Sequence, residues 1–308
     1  MRITTNRYEH AALLTQACVH GCVLFLSANV FPVFRQNLET RAQKVTAALL
    51  LDECRPLLEA LFLSPSRTSG AAPLRVAAVG GGPGFESIGL VAFAVHLRAQ
   101  VAVECLSIDN EAGWEELLAL VVGATCDAAG NPCCAYVAPE EIFPDARDQR
   151  QPEPEPSRSP SSLAQAHRIA FVEGDCLTGQ AGAQLLSIAP DMDLFTFNYV
   201  LVENAKALRD DGFSYLRSVF GAAKVGSVFV FMDASYHLWA EVVEAFSSAQ
   251  QSEAQPQPRF AVLHPHPQPW QCTSTMLVVK LFPKEPPDER HVKQPLQATA
   301  ASDEFCAE

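Results

Sequence analysis

A cluster of glycines at residues 80–84 is the part of the sequence with the clearest chemical potential. It follows the apolar run Val76–Val79 and precedes an amphipathic segment that contains Ile88 and Leu90, which predicts a buried strand, a tight turn and a helix start. Glycine permits positive φ and lets a ligand approach the backbone. A helix start points free N–H groups and the positive end of its dipole at whatever lies above the turn. This segment therefore predicts a binding site for a nucleotide-sized ligand.

The spacing of the glycines restricts which ligand fits. The dinucleotide pattern G-x-G-x-x-G/A fails, because its last position falls on Phe85 when counted from Gly80 and on Ser87 when counted from Gly82. A P-loop is excluded because no Gly-Lys pair ends the turn. The pattern that remains is G-x-G-x-G, formed by Gly80, Gly82 and Gly84.

Acidic residues end the next two predicted strands. The run Val101–Asp109 ends in Asp109, and the run Ile169–Asp175 ends in Asp175. A carboxylate at a strand tip accepts hydrogen bonds from ribose hydroxyls in Rossmann-like nucleotide binders, which predicts that role for Asp109. Glu104 is the alternative carboxylate, although it lies in the middle of its strand, and an acidic helix cap is the alternative role for Asp109.

The turn, the strand-end acids and the order of predicted elements over residues 74–283 resemble the class I S-adenosylmethionine (SAM) dependent methyltransferases. The resemblance implies an α/β fold: a seven-stranded Rossmann-like sheet with helices on both faces, SAM as the cofactor, and Phe260–Leu263 and Thr275–Phe282 as antiparallel last strands. It also implies roles for individual residues. Those expected to bind SAM are Gly80, Gly81, Gly82, Gly84, Asp109 at the ribose, Asp175 at the adenine amino group, Cys176 through its backbone N–H, and Asn198.

The run Met192–Asn204 resembles the fourth strand of that family, whose carboxyl end faces the transferred methyl group. The polar residues at this end are the candidate catalytic residues: Asn198, Tyr199, Glu203 and Asn204. Glu203 and Asn204 have a helix cap as their alternative role. The sequence departs from the family in two ways: Ala78 stands where an acid is frequent, and the Asn/Asp-Pro-Pro-Tyr pattern of amino-group methyltransferases is absent. The second departure counts against an adenine amine or a glutamine amide as the acceptor.

The charge and the cysteine content of the chain restrict the classes of partner and the compartment that fit it. The 308 residues carry a formal net charge of −13 and contain no Lys/Arg cluster, which counts against long nucleic-acid duplexes. The ten cysteines are scattered with no C-x-x-C pair, which predicts a reducing, intracellular compartment and no metal site, with Cys126, Cys133 and Cys134 as the one weak alternative. Oligomeric state is left open.

We expect three regions along the chain. Residues 1–70 are predicted to form a helical cap, 71–283 the SAM-binding domain with a disordered insertion at 145–165, and 284–308 a disordered tail. Residues 11–34 contain no Asp, Glu, Lys or Arg, so a membrane or secretory segment is the alternative to the cap.

The sequence thus predicts methyl transfer from SAM to an unidentified RNA, protein or small-molecule acceptor. The alternatives are a catalytically silent scaffold of the same fold and, less favoured, an NAD-type oxidoreductase. A weaker resemblance to eukaryotic ribosomal-RNA uracil-N3 methyltransferases rests on the glycine turn, Trp114 and the stretch 199–204. For Trp114 a core position is favoured over stacking on adenine, and Tyr236 and His237 are secondary candidates for a general base.

Overall fold

The computed structural model describes residues 54–64, 72–97, 99, 101–124, 133–143, 167–175, 179–233, 237–249, 259–263 and 274–281. Its strands are β1 (Leu74–Val79), β2 (Val103–Asp109), β3 (Cys134–Tyr136), β4 (His167–Glu173), β5 (Leu194–Asn198), β6 (Val228–Asp233), β7 (Arg259–Leu263) and β8 (Ser274–Leu281). Its α-helices are α1 (Arg55–Phe62), α2 (Phe85–His96), α3 (Gly113–Ala124), α4 (Pro139–Ile142), α5 (Gly179–Ile188), α6 (Val200–Glu203), α7 (Ala205–Asp210), α8 (Ser214–Ala222) and α9 (Trp239–Ser248). A 3₁₀ turn, Ala189–Asp191, follows α5.

The strands form a single sheet in the order β3-β4-β2-β1-β5-β6-β8-β7. The first six strands in that order run parallel, whereas β8 is antiparallel to β6 and β7 is antiparallel to β8. Strand order reverses at β1, since β2 lies on one side of it and β5 on the other. The two predicted antiparallel strands at the end of the chain are confirmed.

The prediction of seven strands is wrong by one, because β3 adds an eighth at the edge of the sheet. This strand has three residues and pairs with β4 alone. A run that short shows no alternation of apolar and polar residues, so the sequence offers no signal for it.

Helices cover both faces of the sheet, as predicted. Alternate residues of β1 point to opposite sides: Ala77 and Val79 pack with α5, α8 and α9, while Val76 and Ala78 pack with α1, α2 and α3. Burial on both faces explains why the central strands read as continuous apolar runs. The layered α/β class is therefore confirmed.

The predicted N-terminal cap is described only at its end, where α1 packs against the sheet domain. Leu58 and Phe62 are fully buried, and the ring of Phe62 meets Phe93 of α2 edge to face at 5.1 Å between centroids. Residues 1–53, the predicted insertion at 145–165 and the predicted tail at 284–308 lie outside the described residues. The predicted domain boundaries therefore stay predictions.

Candidate functional site

A cavity of about 420 Å³ opens at the carboxyl ends of β1, β2, β4 and β5. In open α/β sheets this is where ligands bind, beside the point at which the strand order reverses. Fourteen residues line it: Gly80, Gly82, Pro83, Phe85, Asp109, Asn110, Glu111, Trp114, Asp175, Asn198, Tyr199, Val200, Glu203 and Asn204. A volume of this size suits a small-molecule ligand.

The glycine turn has its shape because its backbone lies against neighbouring side chains. A Cβ atom at Gly80 would overlap Val200, and one at Gly84 would overlap Leu118 of α3. Gly80 also has φ of +67°, a conformation that residues with a side chain rarely adopt. The turn is therefore packed tightly against the protein on its inner side, and Gly80 and Gly82 form part of the cavity wall.

Hydrogen bonds join the turn to the end of β2. The Gly82 N–H donates to Asp109 Oδ2 at 2.9 Å, and the Ser107 hydroxyl donates to the Gly82 carbonyl oxygen at 3.2 Å. Asp109 Oδ1 accepts the N–H of Glu111 at 3.2 Å, which fixes the second oxygen. A Cβ at Gly81 would overlap the Ser107 hydroxyl, so this contact needs glycine there.

Burial raises the pKa of the Asp109 carboxyl above its usual range, because it leaves the charged form with less water around it. The N–H donors of Gly82, Glu111 and Asn110 act in the opposite direction and favour the carboxylate. Each carboxylate oxygen has lone pairs left after these bonds. Asp109 can therefore hold the turn and accept hydrogen bonds from a ligand in the cavity at the same time.

Glu104, the alternative ribose carboxylate, lies away from the cavity. Its Oε1 accepts Arg168 Nη1 of β4 at 2.9 Å, and its Oε2 lies 3.4 Å from Arg75 Nε of β1. The three residues occupy matching positions on adjacent strands, so they form one row of alternating charge across the sheet. Both cationic partners compensate a carboxylate that is 8% exposed, which is a structural arrangement.

Asn198 is the last residue of β5 and lines the cavity beside the glycine turn. It is only 8% exposed, yet its carboxamide makes no hydrogen bond within the described part of the chain. Because Asn198 lines the cavity, its carboxamide is open there to water or to a ligand.

Tyr199 turns the chain from β5 into α6 with left-handed dihedrals, φ 63° and ψ 4°. Its N–H donates to the Met232 carbonyl oxygen of β6 at 2.8 Å. The neighbouring Asp233, which is 1% exposed, accepts the Val202 N–H of α6 at 3.0 Å. The end of β6 thus holds the segment that brings Tyr199 and Glu203 to the cavity.

The predicted fourth strand, Met192–Asn204, is therefore shorter than expected. It ends at Asn198, and the remaining residues form the left-handed turn and the one-turn helix α6. The apolar residues Val200 and Leu201 are buried, which explains why the sequence there looks like a continued strand. At the end of this stretch Asn204 follows α6 and donates from its side-chain Nδ2 to the Val200 carbonyl oxygen at 2.9 Å.

Most of the residues predicted to bind SAM or the acceptor meet at this one cavity. Eight of them line it: Gly80, Gly82, Asp109, Asp175, Asn198, Tyr199, Glu203 and Asn204. Gly81 and Gly84 shape the turn without lining the cavity, and Cys176 lies outside the described residues. Their roles toward a ligand stay predictions.

Trp114 both packs on the core and lines the cavity, so the expected core position is only part of its environment. His237 is exposed and is not among the lining residues, and Tyr236 lies outside the described residues.

The sequence interpretation missed Ser107 and Asp233. Both residues lie on strands whose other residues are mostly apolar. Their hydrogen-bond partners, residues 82 and 202, are distant along the chain. The one signal in the sequence is a polar residue within an apolar strand.

The charged residues that line the cavity are all acidic. Asp109, Glu111, Asp175 and Glu203 contribute four carboxyl groups to the wall, and no lysine, arginine or histidine is among the described residues that line it. Such a wall attracts cationic ligands and repels anionic ones. Elsewhere in the described ranges, no group of three His, Cys, Asp or Glu residues is placed to hold a metal, and no helix is long and apolar enough to cross a membrane.

Of the comparisons with known proteins, the one with solved structures gives matches. No family model matches the chain, and no curated protein matches it. Among solved structures, a plantazolicin methyltransferase in complex with S-adenosylhomocysteine (SAH) has 8% identity and a TM-score of 0.39, covering 90% of this chain and 98% of that one.

Two further solved structures are similar at the same level. Human N-acetylserotonin methyltransferase in complex with SAM has 12% identity and a TM-score of 0.35, covering 91% of this chain and 68% of that one. A SAM-dependent methyltransferase from Methanosarcina mazei has 10% identity and a TM-score of 0.37, covering 68% and 93%. The topology of the sheet identifies the fold. With β3 set aside, the sheet has the seven strands and the antiparallel last two strands that the sequence predicts, so the chain has a Rossmann-like α/β fold.

Proposed function

We propose that the protein binds SAM in this cavity and transfers its methyl group to an acceptor that enters beside α6. The observation that carries the proposal is the hydrogen bond from the Gly82 N–H to Asp109 Oδ2 at the reversal point of the sheet. It joins the glycine-rich turn to the carboxylate that we assign to the ribose, and Gly80, Gly82 and Asp109 line the same cavity.

The residues present fit SAM in shape and in charge. Gly80, Gly82, Asp109 and Asp175 all line the cavity. We assign the backbone of Gly80 and Gly82 to the amino-acid and sulfonium end of SAM, Asp109 to the ribose hydroxyls and Asp175 to the adenine amino group. Trp114 is an aromatic residue of the same lining. SAM carries a net positive charge, which the four carboxyl groups favour.

SAM, when bound, supplies an electrophilic methyl carbon on a sulfonium. The main task of the protein is then to orient the acceptor, since alignment contributes much of the rate in such a displacement. Asn198 and Glu203 line the cavity with groups that can accept a hydrogen bond from the acceptor. The left-handed turn at Tyr199 brings α6, and Glu203 with it, to the cavity.

The same charges disfavour the NAD-type alternative. A dinucleotide carries a pyrophosphate, and no cationic side chain is among the described residues that line the cavity to neutralise it. The glycine spacing already lacks the dinucleotide pattern. Neither the glycine spacing of the turn nor the acidic lining of the cavity therefore suits NAD.

Calorimetric titration of the full chain with SAM, SAH and NAD tests the proposal. We expect SAM and SAH to bind and NAD not to bind, and SAH at a hundred times its dissociation constant to add about 2.7 kcal/mol of stability in a thermal melt. Absence of binding by both SAM and SAH would overturn the proposal. Binding of both without methylation of any acceptor would favour the silent scaffold instead.

A further inference from the structure

We propose that the acceptor is an aliphatic amine, presented by a small cationic molecule or by a lysine side chain. The inference rests on the proposed function, since it names the substrate class of the same cavity. It is carried by the combination of Asn198, which is 8% exposed and whose carboxamide faces the cavity without a hydrogen bond in the described chain, and a carboxylate-lined wall next to it.

The charge of the cavity exceeds what SAM alone would neutralise. The bound cofactor carries one net positive charge, whereas four carboxyl groups line the wall. Asp109 is occupied by the turn and by the ribose role, and Asp175 is assigned to the adenine. Glu203 and Glu111 remain, and these two exposed carboxyl groups of the lining would attract a second cation.

Asn198 supplies the independent evidence for a ligand at this end. Its position at the tip of β5, next to the glycine turn, places a carboxamide with both an acceptor oxygen and an NH₂ donor in the wall. An amine has N–H groups that can donate to this oxygen, and such a hydrogen bond contributes about 1 kcal/mol. A phosphate or carboxylate acceptor would meet the same carboxylates and be repelled.

Methyl transfer to an amine needs no groups beyond SAM, the amine, Asn198 and Glu203. The bound ammonium first releases a proton to Glu203 and from there to solvent. The neutral nitrogen, held by an N–H bond to Asn198 Oδ1, forms the new N–C bond while the C–S bond of the sulfonium breaks. The electron pair of that bond goes to sulfur, so the products are a methylated ammonium and the uncharged thioether.

Calorimetry on the full chain separates this inference from the proposed function. SAH is titrated first, and its failure to bind would refute the proposed function itself. SAH-saturated protein is then titrated with diaminobutane and with a lysine-containing peptide, which distinguish a small amine from a side chain. The matched controls are butanediol and the same peptide with its lysines acetylated, which remove the charge and keep the length.

We expect at least one amine to bind and its uncharged counterpart not to bind, and tritiated SAM to label the amine that binds. Absence of binding by both amines at millimolar concentration, with SAH bound, would overturn the inference. So would labelling of a phenol such as catechol or of a uridine-rich RNA in preference to the amines.

Variants link the amine to Asn198 and Glu203. Asn198→Leu removes the carboxamide at similar size and should weaken amine binding about 10-fold, whereas Asn198→Asp keeps an acceptor oxygen and should bind within about threefold of the parent. Glu203→Gln should weaken amine binding and reduce its dependence on salt. Glu244→Gln, the same change at an exposed position of α9, is the control. Unchanged amine affinity in Asn198→Leu, with SAH affinity and melting temperature also unchanged, would contradict the inference.

Discussion

Asp109 joins the glycine turn to the wall of the cavity. Its carboxylate accepts backbone N–H groups from both Gly82 and Glu111, so its position is fixed before any ligand arrives. Hydrogen bonds to charged groups contribute about 1.5–3 kcal/mol each, twice or more the value for neutral pairs. A single side chain therefore stabilises the turn and pre-arranges a hydrogen-bond acceptor in the cavity.

We expect Asp109→Ala to lower SAH affinity by roughly 10- to 100-fold, because it removes charge-assisted bonds to the ribose. Asp109→Asn keeps one acceptor oxygen, so its SAH affinity should lie between that of the parent protein and that of Asp109→Ala. Calorimetry measures both variants, with Glu104→Gln as the control, since Glu104 is another carboxylate of β2 and lies outside the cavity wall. If Glu104→Gln weakened SAH binding more than Asp109→Ala did, the ribose assignment would be wrong.

Tyr199 holds a conformation that side chains disfavour. A non-glycine residue in the left-handed region costs of order 1–3 kcal/mol and persists where the surroundings impose it, which is common at functional sites. Here the surroundings are the Met232 carbonyl oxygen, which accepts the Tyr199 N–H, and the buried Val200 that follows.

A pair of substitutions isolates this strain. Tyr199→Gly and Tyr199→Ala both remove the ring, but only glycine adopts φ of 63° without steric cost. We expect the Gly variant to be more stable than the Ala variant by about 1 kcal/mol, the opposite of their order in a regular helix. Chemical denaturation measures the difference, and an Ala variant as stable as the Gly variant would show that the backbone relaxes.

At the scale of elements, the acceptor end of the cavity depends on how β6 holds α6. The one-turn helix has no side-chain cap of its own at Tyr199, and the Asp233 carboxylate supplies one from the adjacent strand. This makes Asp233 a positioning residue, because it acts on Glu203 through the backbone of the helix.

Asp233→Ala should destabilise the protein by about 1–3 kcal/mol, since it removes the acceptor of a backbone N–H. We expect it also to lower methyl transfer at saturating SAM while SAH affinity stays within about threefold, because the glycine turn is untouched. Asp233→Asn retains an oxygen for the Val202 N–H and should restore most of both properties. Loss of stability with unchanged transfer in Asp233→Ala would leave the residue a purely structural role.

His167 couples the edge of the sheet to pH. Burial lowers its pKa from 6.5 to about 4, and its Nδ1 accepts the Val103 N–H at 3.1 Å, which requires an unprotonated nitrogen. Between these two values the unfolded chain binds more protons than the folded one, so stability rises with pH. The contribution is complete above pH 6.5 and is lost as pH falls toward 4.

We therefore expect the free energy of unfolding to drop by up to about 3 kcal/mol between pH 6.5 and 4 through this group alone. His167→Asn keeps an oxygen that can accept the Val103 N–H and has no titration in this range. Urea denaturation across the pH series measures both proteins. An equally steep slope in His167→Asn would assign the acid sensitivity to other groups.

At the scale of the whole molecule, the sequence predicts well what is local and poorly what is not. The turn and the acids at the tips of β2 and β4 are readable because each follows its strand by a few residues. The edge strand β3, the end of β5 at Asn198 and the contact of Asp233 with α6 depend on partners far along the chain. The weaker resemblance to uracil-N3 methyltransferases and the N-terminal cap stay predictions.

The charge of the molecule gives a last prediction, on how salt acts at the cavity. The chain carries a formal net charge of −13, and its cavity wall holds four carboxyl groups. SAM is a cation at sulfur and SAH is not, so the carboxylates favour SAM by a Coulombic term that SAH lacks. Raising the salt concentration from 0.01 M to 1 M shortens the screening length from about 30 Å to about 3 Å and weakens that term. We expect the ratio of SAM affinity to SAH affinity to fall several-fold over this range in calorimetric titrations, and to fall less in Glu203→Gln. A ratio that is independent of salt would mean that the sulfonium lies away from the carboxylates. The acceptor end of the cavity would then also lie away from them.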